Sequence, residues 1–291
     1  MATVVEALAR LGGSATSAEL ARATTPAALK AAVQRGEVER LARGIYGLPS
    51  LGADRLAAIA YDGVVSHLSA AVARELPLLV RPEKPHITVP VHRRPRRGRP
   101  VVMHWAAVSS AERLSRVTSL LRTVVDCARI LPFGEALAVA DAALATGRLS
   151  HDELEAAVTA MRGPGRPNAV RIAAAATGLS ESFLESILRS LLLTEGIDGF
   201  EPQLLVATGG ARARVDLGHR SARIALEAEG YEFHGSASAF AADCRRYDDL
   251  VTAGWMVLRF TYQQVLGDPR WVIGTVRSAV AQRFAAPNDR R

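Results

Sequence analysis

The sequence predicts an α/β protein, α+β overall: an N-terminal winged helix-turn-helix, a helical middle region with a small sheet, and a C-terminal α-β-β-β-α-β-α domain. Three observations predict this. Residues 1–50 place three short helical patterns ahead of a cationic β-turn-β stretch. The segment Gly163-Pro-Gly-Arg-Pro167 punctuates the chain. Beyond residue 180 the apolar period switches between that of a helix and that of strands. The expected boundaries are 1–50, a middle domain at 51–162, a linker or helix at 163–179, and a final domain at 180–285.

Val4, Val5, Leu8 and Leu11 form one helical face, stopped at Gly12-Gly13. Thr16-Ser-Ala-Glu19 is a capping box: the threonine hydroxyl accepts an amide of the first turn while Glu19 reaches back. Pro26 follows Thr25 at a first helical position, where its missing N–H is harmless. That third helix carries Leu29, Ala32 and Val33 inward and ends at Gly36. Val38 to Leu48 reads as two strands turning near Arg43-Gly44. In a winged helix the third helix enters the major groove and the wing touches the backbone. Lys30, Arg35, Arg40 and Arg43 are the expected phosphate contacts. The same pattern permits a protein-binding wing domain.

In the middle region, Asp54–Tyr61 and Ser69–Leu76 read as helices, with strands at Lys84–Pro90 and Val101–Trp105. Between the strands, Arg93, Arg94, Arg96, Arg97 and Arg99 make a loop of five arginines in seven residues, an expected DNA contact. Helices are expected at Thr118–Leu131, Gly134–Thr146 and Ser150–Met161. His67, His86, His92 and His104 form no recognisable ligand set along the chain.

In the last domain, Phe183, Leu184, Ile187, Leu188, Leu191 and Leu192 recur at three- and four-residue spacing, with Ser180 or Ser182 as cap and Gly196 as stop. Strands are expected at Pro202–Ala207, Arg214–Leu217, Arg223–Ala228 and Trp255–Phe260. Helices are expected at Ser238–Ala253 and Pro269–Phe284. A hairpin brings Asp216 beside Glu227, and a strand points Glu227 and Glu229 to one face. Carboxylates on a buried face require neutralisation. Mg²⁺, or Mn²⁺, held by Asp216 and Glu227 is the expected neutraliser, and metal-dependent phosphodiester hydrolysis the corresponding chemistry. Asp243 and Arg246, three apart on a helix, read as a surface ion pair.

Two resemblances add to this reading. Residues 1–140, through Leu41-Ala-Arg-Gly-Ile-Tyr-Gly-Leu-Pro49 and Ser66-His67-Leu-Ser-Ala-Ala71, resemble AbiEi-type antitoxins of abortive-infection toxin–antitoxin systems. Residues 180–280 resemble very-short-patch-repair-like endonucleases of the PD-(D/E)xK superfamily. That match rests on Ser182, Glu185, Gln203, Val215-Asp216, Glu227-Ala-Glu229-Gly230, His234, Asp243, Arg246, Leu250 and Gly254-Trp-Met-Val-Leu-Arg-Phe-Thr261. The resemblance implies a restriction-endonuclease-like fold acting on double-stranded DNA in phage defence or repair. Its implied catalytic set is Asp216, Glu227, Glu229, His234, Glu185 and Gln203. Glu229 stands where the wider superfamily carries lysine, which leaves His234 as the nearest candidate base. The antitoxin resemblance implies an alternative: a transcriptional regulator, with an inactive or weakly active nuclease fold and a nucleotidyltransferase-type toxin as partner.

The chain has 291 residues, 49% of them hydrophobic, which excludes wholesale disorder. A net charge of +7 favours a polyanionic partner. Arginine outnumbers lysine 34 to 2, which fits GC-rich coding as well as phosphate binding. Cys127 and Cys244 lack metal-ligand spacing and imply no disulfide framework. No basic leader or run of 18 apolar residues occurs, so the expectation is a cytoplasmic protein with no membrane partner.

Overall fold

The computed structural model describes residues 3–93, 99–208, 211–230 and 237–285. It is a mixed α/β structure of two compact units, Met1–Cys127 and Ala128–Arg291.

The first unit opens with α1 (Val4–Arg10), β1 (Ser14–Thr16), α2 (Ser17–Leu20), α3 (Pro26–Gln34), β2 (Glu39–Ala42) and β3 (Ile45–Gly47). Capping boxes at Thr3/Glu6 and Thr16/Glu19 start α1 and α2, and Thr25 caps α3 ahead of Pro26. Leu8, Leu20, Ala32 and Val38 close a small core. The strand β1 was not legible in the sequence; it joins β3 to give an antiparallel sheet in the order β1-β3-β2. Helices and wing are therefore arranged as a winged helix-turn-helix.

A 3-10 turn at Pro49–Leu51 leads to α4 (Ala53–Ala60), β4 (Val64–Val65), α5 (His67–Ala73), β5 (His86–Val89), β6 (Val102–Trp105) and α6 (Ser110–Ser115). The sheet here runs β4-β5-β6, antiparallel then parallel. Neither β4 nor α6 was expected. The helix α7 (Leu120–Ile130) carries the chain across the division between the units.

The second unit holds α8 (Phe133–Ala145), α9 (His151–Ala160), α10 (Arg166–Ala175), α11 (Phe183–Thr194), β7 (Phe200–Thr208), β8 (Ala211–His219), β9 (Ile224–Glu229), α12 (Ala237–Thr252), β10 (Met256–Thr261), α13 (Tyr262–Gly267) and α14 (Pro269–Ala285). The expected breaks at 50/51 and 162/163 fall inside the units rather than between them. The Gly163–Pro167 segment is docked, not a free linker. Arg129 Nη1 donates to the Pro164 carbonyl, and Asn168 Nδ2 donates to the carbonyls of Ala128 and Leu131. A Cβ on Gly165 would sit 2.7 Å from Arg129 Cα, so this turn needs glycine for close approach as well as for its φ of +79°. Arg166 and Pro167 already belong to α10.

The strands β7, β8 and β9 form an antiparallel meander; β10 returns parallel to β9, giving the order β10-β9-β8-β7. One core cluster joins Leu184, Leu188 and Leu192 of α11 to Leu217, Ile224, Leu226 and Phe260 of the sheet and Val272 and Val276 of α14. A second joins Leu204, Val206, Val215 and Ala225 to Leu250 and Tyr247 of α12. Behind α11 lies α8, which sends Asp141 into the contact. Its carboxylate accepts from Arg189 Nη2 at 2.8 and 3.0 Å, from Ser186 Oγ at 2.8 Å and from the Thr177 amide at 2.9 Å. Asp141 and Arg189 are buried. Among the described residues no helix is long and apolar enough to cross a membrane.

Candidate active site

The meander opens where its acids lie. Leu217 pairs with Leu226, Gly218 with Ala225 and His219 with Ile224. One step further the register sets Asp216 opposite Glu227, and there the Ala228 amide donates 2.8 Å to Asp216 Oδ2. A side-chain carboxylate thus takes the place of a strand carbonyl. On the other side of β8, the pairs Pro202–Leu217 and Leu204–Val215 bracket Gln203, which has φ +53°. Such a conformation is uncommon for a residue with a side chain and marks a local constraint. Gln203 Nε2 donates 2.7 Å to Glu185 Oε2, and the Glu181 amide donates 2.9 Å to the same oxygen. Glu185 is buried in the first turn of α11, after the Ser182 cap. Asp216, Glu227, Glu185 and Gln203 are therefore brought together by the two inner strands, β7 and the first turn of α11.

Burial pushes the Asp216 carboxyl up to about 6, helped by the charges of Glu185 and Glu229 and opposed by the Ala228 amide and Arg246. Burial and the adjacent Asp216 push Glu227 up to about 7, against Arg246. Two neighbouring carboxylates that share the single guanidinium of Arg246 can offer oxygen ligands to a hard divalent ion, since Mg²⁺ takes one or two carboxylates and completes its shell with water and phosphate. The carboxylates are not drawn into a tight cage. Among the described residues, the group of three or more side chains with ligand atoms all within 4.8 Å is the exposed set His151, Asp152 and Glu155 on α9. It lies away from the sheet acids in the chain, and exposed carboxylates normally stand in solvent.

Glu227 and Glu229 both turn toward α12, as a two-residue strand spacing requires. Their partners differ. Arg246 Nη1 donates to Glu227 Oε1 at 2.9 Å and to the Arg214 carbonyl at 3.2 Å, while Nη2 reaches Asp243 Oδ1 at 3.1 Å and the Tyr247 hydroxyl at 3.0 Å. Arg259, on β10 beside β9, donates through Nε to Glu229 Oε1 at 2.7 Å, and the Tyr247 hydroxyl adds 3.1 Å to that oxygen. Both guanidinium carbons lie over the Tyr247 ring, at 4.7 and 4.2 Å. Arg246 is thus no simple surface partner of Asp243. The sequence reading missed Arg246, Tyr247 and Arg259 as site residues. Arg246 and Arg259 were visible in the family pattern, but their reach to the acids depends on the parallel register of β10 and on the face of α12.

The remaining expected residues fall in several places. His234, Arg94, Arg96 and Arg97 lie outside the described residues. Lys30, Arg40 and Arg43 are exposed on α3 and the wing. Lys30 and Arg40 line a cleft of about 370 Å³ with Leu20, Leu29, Val33 and Tyr46. Arg35 is held by Glu37 in a two-pronged pair at 2.8 and 3.0 Å, and Arg93 by Asp62 at 2.7 Å, so both are partly neutralised. Histidines separated along the chain do assemble: His67 stacks on His104 at 3.5 Å between ring centroids, and His104 Nε2 lies 3.2 Å from His86 Nδ1. Burial pushes His104 down to about 4.

No protein-family model matches the chain. Over 180 residues the chain is 32% identical to two Mycobacterium tuberculosis proteins, the uncharacterized protein MT2308 of strain CDC 1551 / Oshkosh and the uncharacterized protein Rv2248 of strain H37Rv. These matches cover 60% of this chain and 66% of each relative, just under two thirds of its length. A crystal structure of the Mycobacterium tuberculosis protein RV2827C overlaps 59% of this chain and 75% of its own, with a TM-score of 0.39 and 15% identity.

Proposed function

We propose that the protein binds double-stranded DNA and that its second unit is a divalent-metal-dependent endonuclease. The observation that carries this reading is the opening of the meander at Asp216 and Glu227, where a half-buried and a buried carboxylate lie on neighbouring strands with raised proton affinity. Asp216 and Glu227 would hold Mg²⁺ or Mn²⁺, which supplies Lewis-acid stabilisation of charge developing on the phosphoryl oxygens. Gln203 and Glu185 fix the rim of the site through their 2.7 Å hydrogen bond. Glu229, engaged by Arg259 and Tyr247, keeps those two side chains in position beside Glu227. His234 remains the candidate proton acceptor.

A plasmid-nicking assay tests the reading. Nicking is expected with Mg²⁺ or Mn²⁺, none with EDTA, and none from Asp216→Ala. Nicking that survives both EDTA and Asp216→Ala would remove the metal from the chemistry.

Duplex binding by the winged helix is expected to run through phosphates. Lys30→Ala/Arg40→Ala in the full chain should weaken binding evenly across sequences. It should reduce the slope of log affinity against log salt by about 2, since each lost phosphate contact removes about 0.9. An unchanged slope would transfer duplex recognition to other cations.

A second reading is a DNA-binding regulator whose nuclease fold is inactive, with a toxin as partner. The ion pairs Arg246–Glu227 and Arg259–Glu229 favour it, because each acid already has a cation within the chain. Wild-type protein that binds DNA but never nicks it would select this reading.

A further inference from the structure

The acid pair carries its own cation, and its geometry says more than that the site is charged. Arg246 grips from four directions: Glu227, the Arg214 carbonyl, Asp243 and the Tyr247 hydroxyl. Only the first of these belongs to the acid pair. Asp243 lies one helical turn before Arg246 on α12 and holds both Nε, at 3.3 Å, and Nη2, at 3.1 Å. The Tyr247 ring lies beneath the guanidinium carbon at 4.7 Å. If the Glu227 contact opens, these anchors still hold the side chain, on the α12 side of the site. Glu227 is buried, whereas Arg246 is about one third exposed and has room to withdraw.

We infer that Arg246 is a tethered counter-cation: it occupies Glu227 while no divalent ion is bound, and it must leave that carboxylate for one to bind. The inference rests on the reading of Asp216 and Glu227 as metal ligands. A guanidinium on Glu227 Oε1 and a divalent ion on the same carboxylate repel each other and draw on the same negative charge, so each weakens the hold of the other. The protein therefore exchanges one cation for another. Arg246 keeps the apo pair of acids from facing each other uncompensated, and it sets the metal concentration at which the site fills. Arg246 is on this account a positioning residue, and its removal should tighten metal binding where loss of a structural prop would weaken it.

Calorimetric titration of the full chain with MnCl₂ at pH 8 decides. Arg246→Gln is expected to lower the Kd for Mn²⁺ about tenfold, the change that follows from removing a competing interaction of modest strength. Millimolar methylguanidinium should raise the Kd of Arg246→Gln back toward wild type and leave the wild-type Kd unchanged. Arg246→Lys keeps the charge but loses the fork, so its Kd should fall between the two. It serves as the discriminating variant if Arg246→Gln does not fold, a wild-type or weaker Kd then overturning the inference. A measurable Kd that is equal or weaker in Arg246→Gln overturns the tethered-cation role and leaves the metal reading standing. Absence of Mn²⁺ binding in both wild type and Arg246→Gln overturns the metal reading and the inference with it.

Discussion

Asp141→Ala is expected to destabilise the second unit by about 3–5 kcal/mol, the usual loss when one partner of a buried ion pair is removed. The cause is local. Arg189 is buried, its Nη2 has both Asp141 oxygens, its Nη1 has the Ala175 carbonyl at 2.6 Å, and its Nε has no partner among the described residues. Without Asp141 the guanidinium stays charged in a poorly polar contact between α8 and α11. The Thr177 amide and Ser186 hydroxyl lose their acceptor at the same time. Thermal unfolding should fall by about 6–20 °C, given about 2–4 °C per kcal/mol for a unit of this size. Arg189→Ala should cost a similar amount, and the double variant should lose less than the sum, since the two side chains share one interaction. Additive losses would show that the pair is not what joins the helices.

The second large effect is expected at Asp216, where stability and activity should move in opposite directions. Its carboxyl is raised from 3.8 to about 6, chiefly by burial. The native state therefore holds a proton that the unfolded chain has already released. The stabilisation from that proton is complete below about pH 4 and is lost as pH rises through 6. Asp216→Asn cannot ionise and still offers an oxygen to the Ala228 amide. It should match wild type below pH 4 and exceed it at pH 8 by about 3 kcal/mol, measured by urea unfolding in EDTA. The same change should reduce nicking by about 10³-fold or more, because several kcal/mol of charge stabilisation depends on the ion it would hold. Mn²⁺ should stabilise wild type and leave the variant unmoved. A variant less stable than wild type at pH 8 would mean that the native fold stabilises the ionised carboxylate.

The parts legible in the sequence are those with a local cause. The period of Leu184, Leu188 and Leu192 marks α11, the Thr16–Glu19 box marks α2, and the apolar run Trp255–Phe260 marks the last strand. The placing of Asp216 and Glu227 on neighbouring antiparallel strands followed from the hairpin signal between them. The strands β1 and β4, of three and two residues, carry too little period to read. The cap Thr261 with Gln264 that starts α13 was present but masked by the strand pattern running into it. Asp141 and Arg189 lie 48 residues apart on helices whose facing the sequence does not give, so nothing along the chain relates them. The histidine stack draws on α5, β5 and β6, and nothing along the chain relates those elements. Arg259 reaches Glu229 only because β10 runs parallel to β9 in the register that sets Thr261 opposite Glu229.

That parallel register has a consequence in time. The hairpins β7–β8 and β8–β9 close across short turns and can form early, bringing Asp216 and Glu227 together. The strand β10 arrives after the whole of α12 and must close a longer loop before its contacts compensate, which places its docking late. Glu227 can therefore meet Asp216 before Arg259 has met Glu229. For that interval the nascent sheet edge is more acidic than the finished one, and β9 has one unpaired flank. Arrival of β10 covers that flank and brings in the arginine together, so sheet completion and charge compensation are one event.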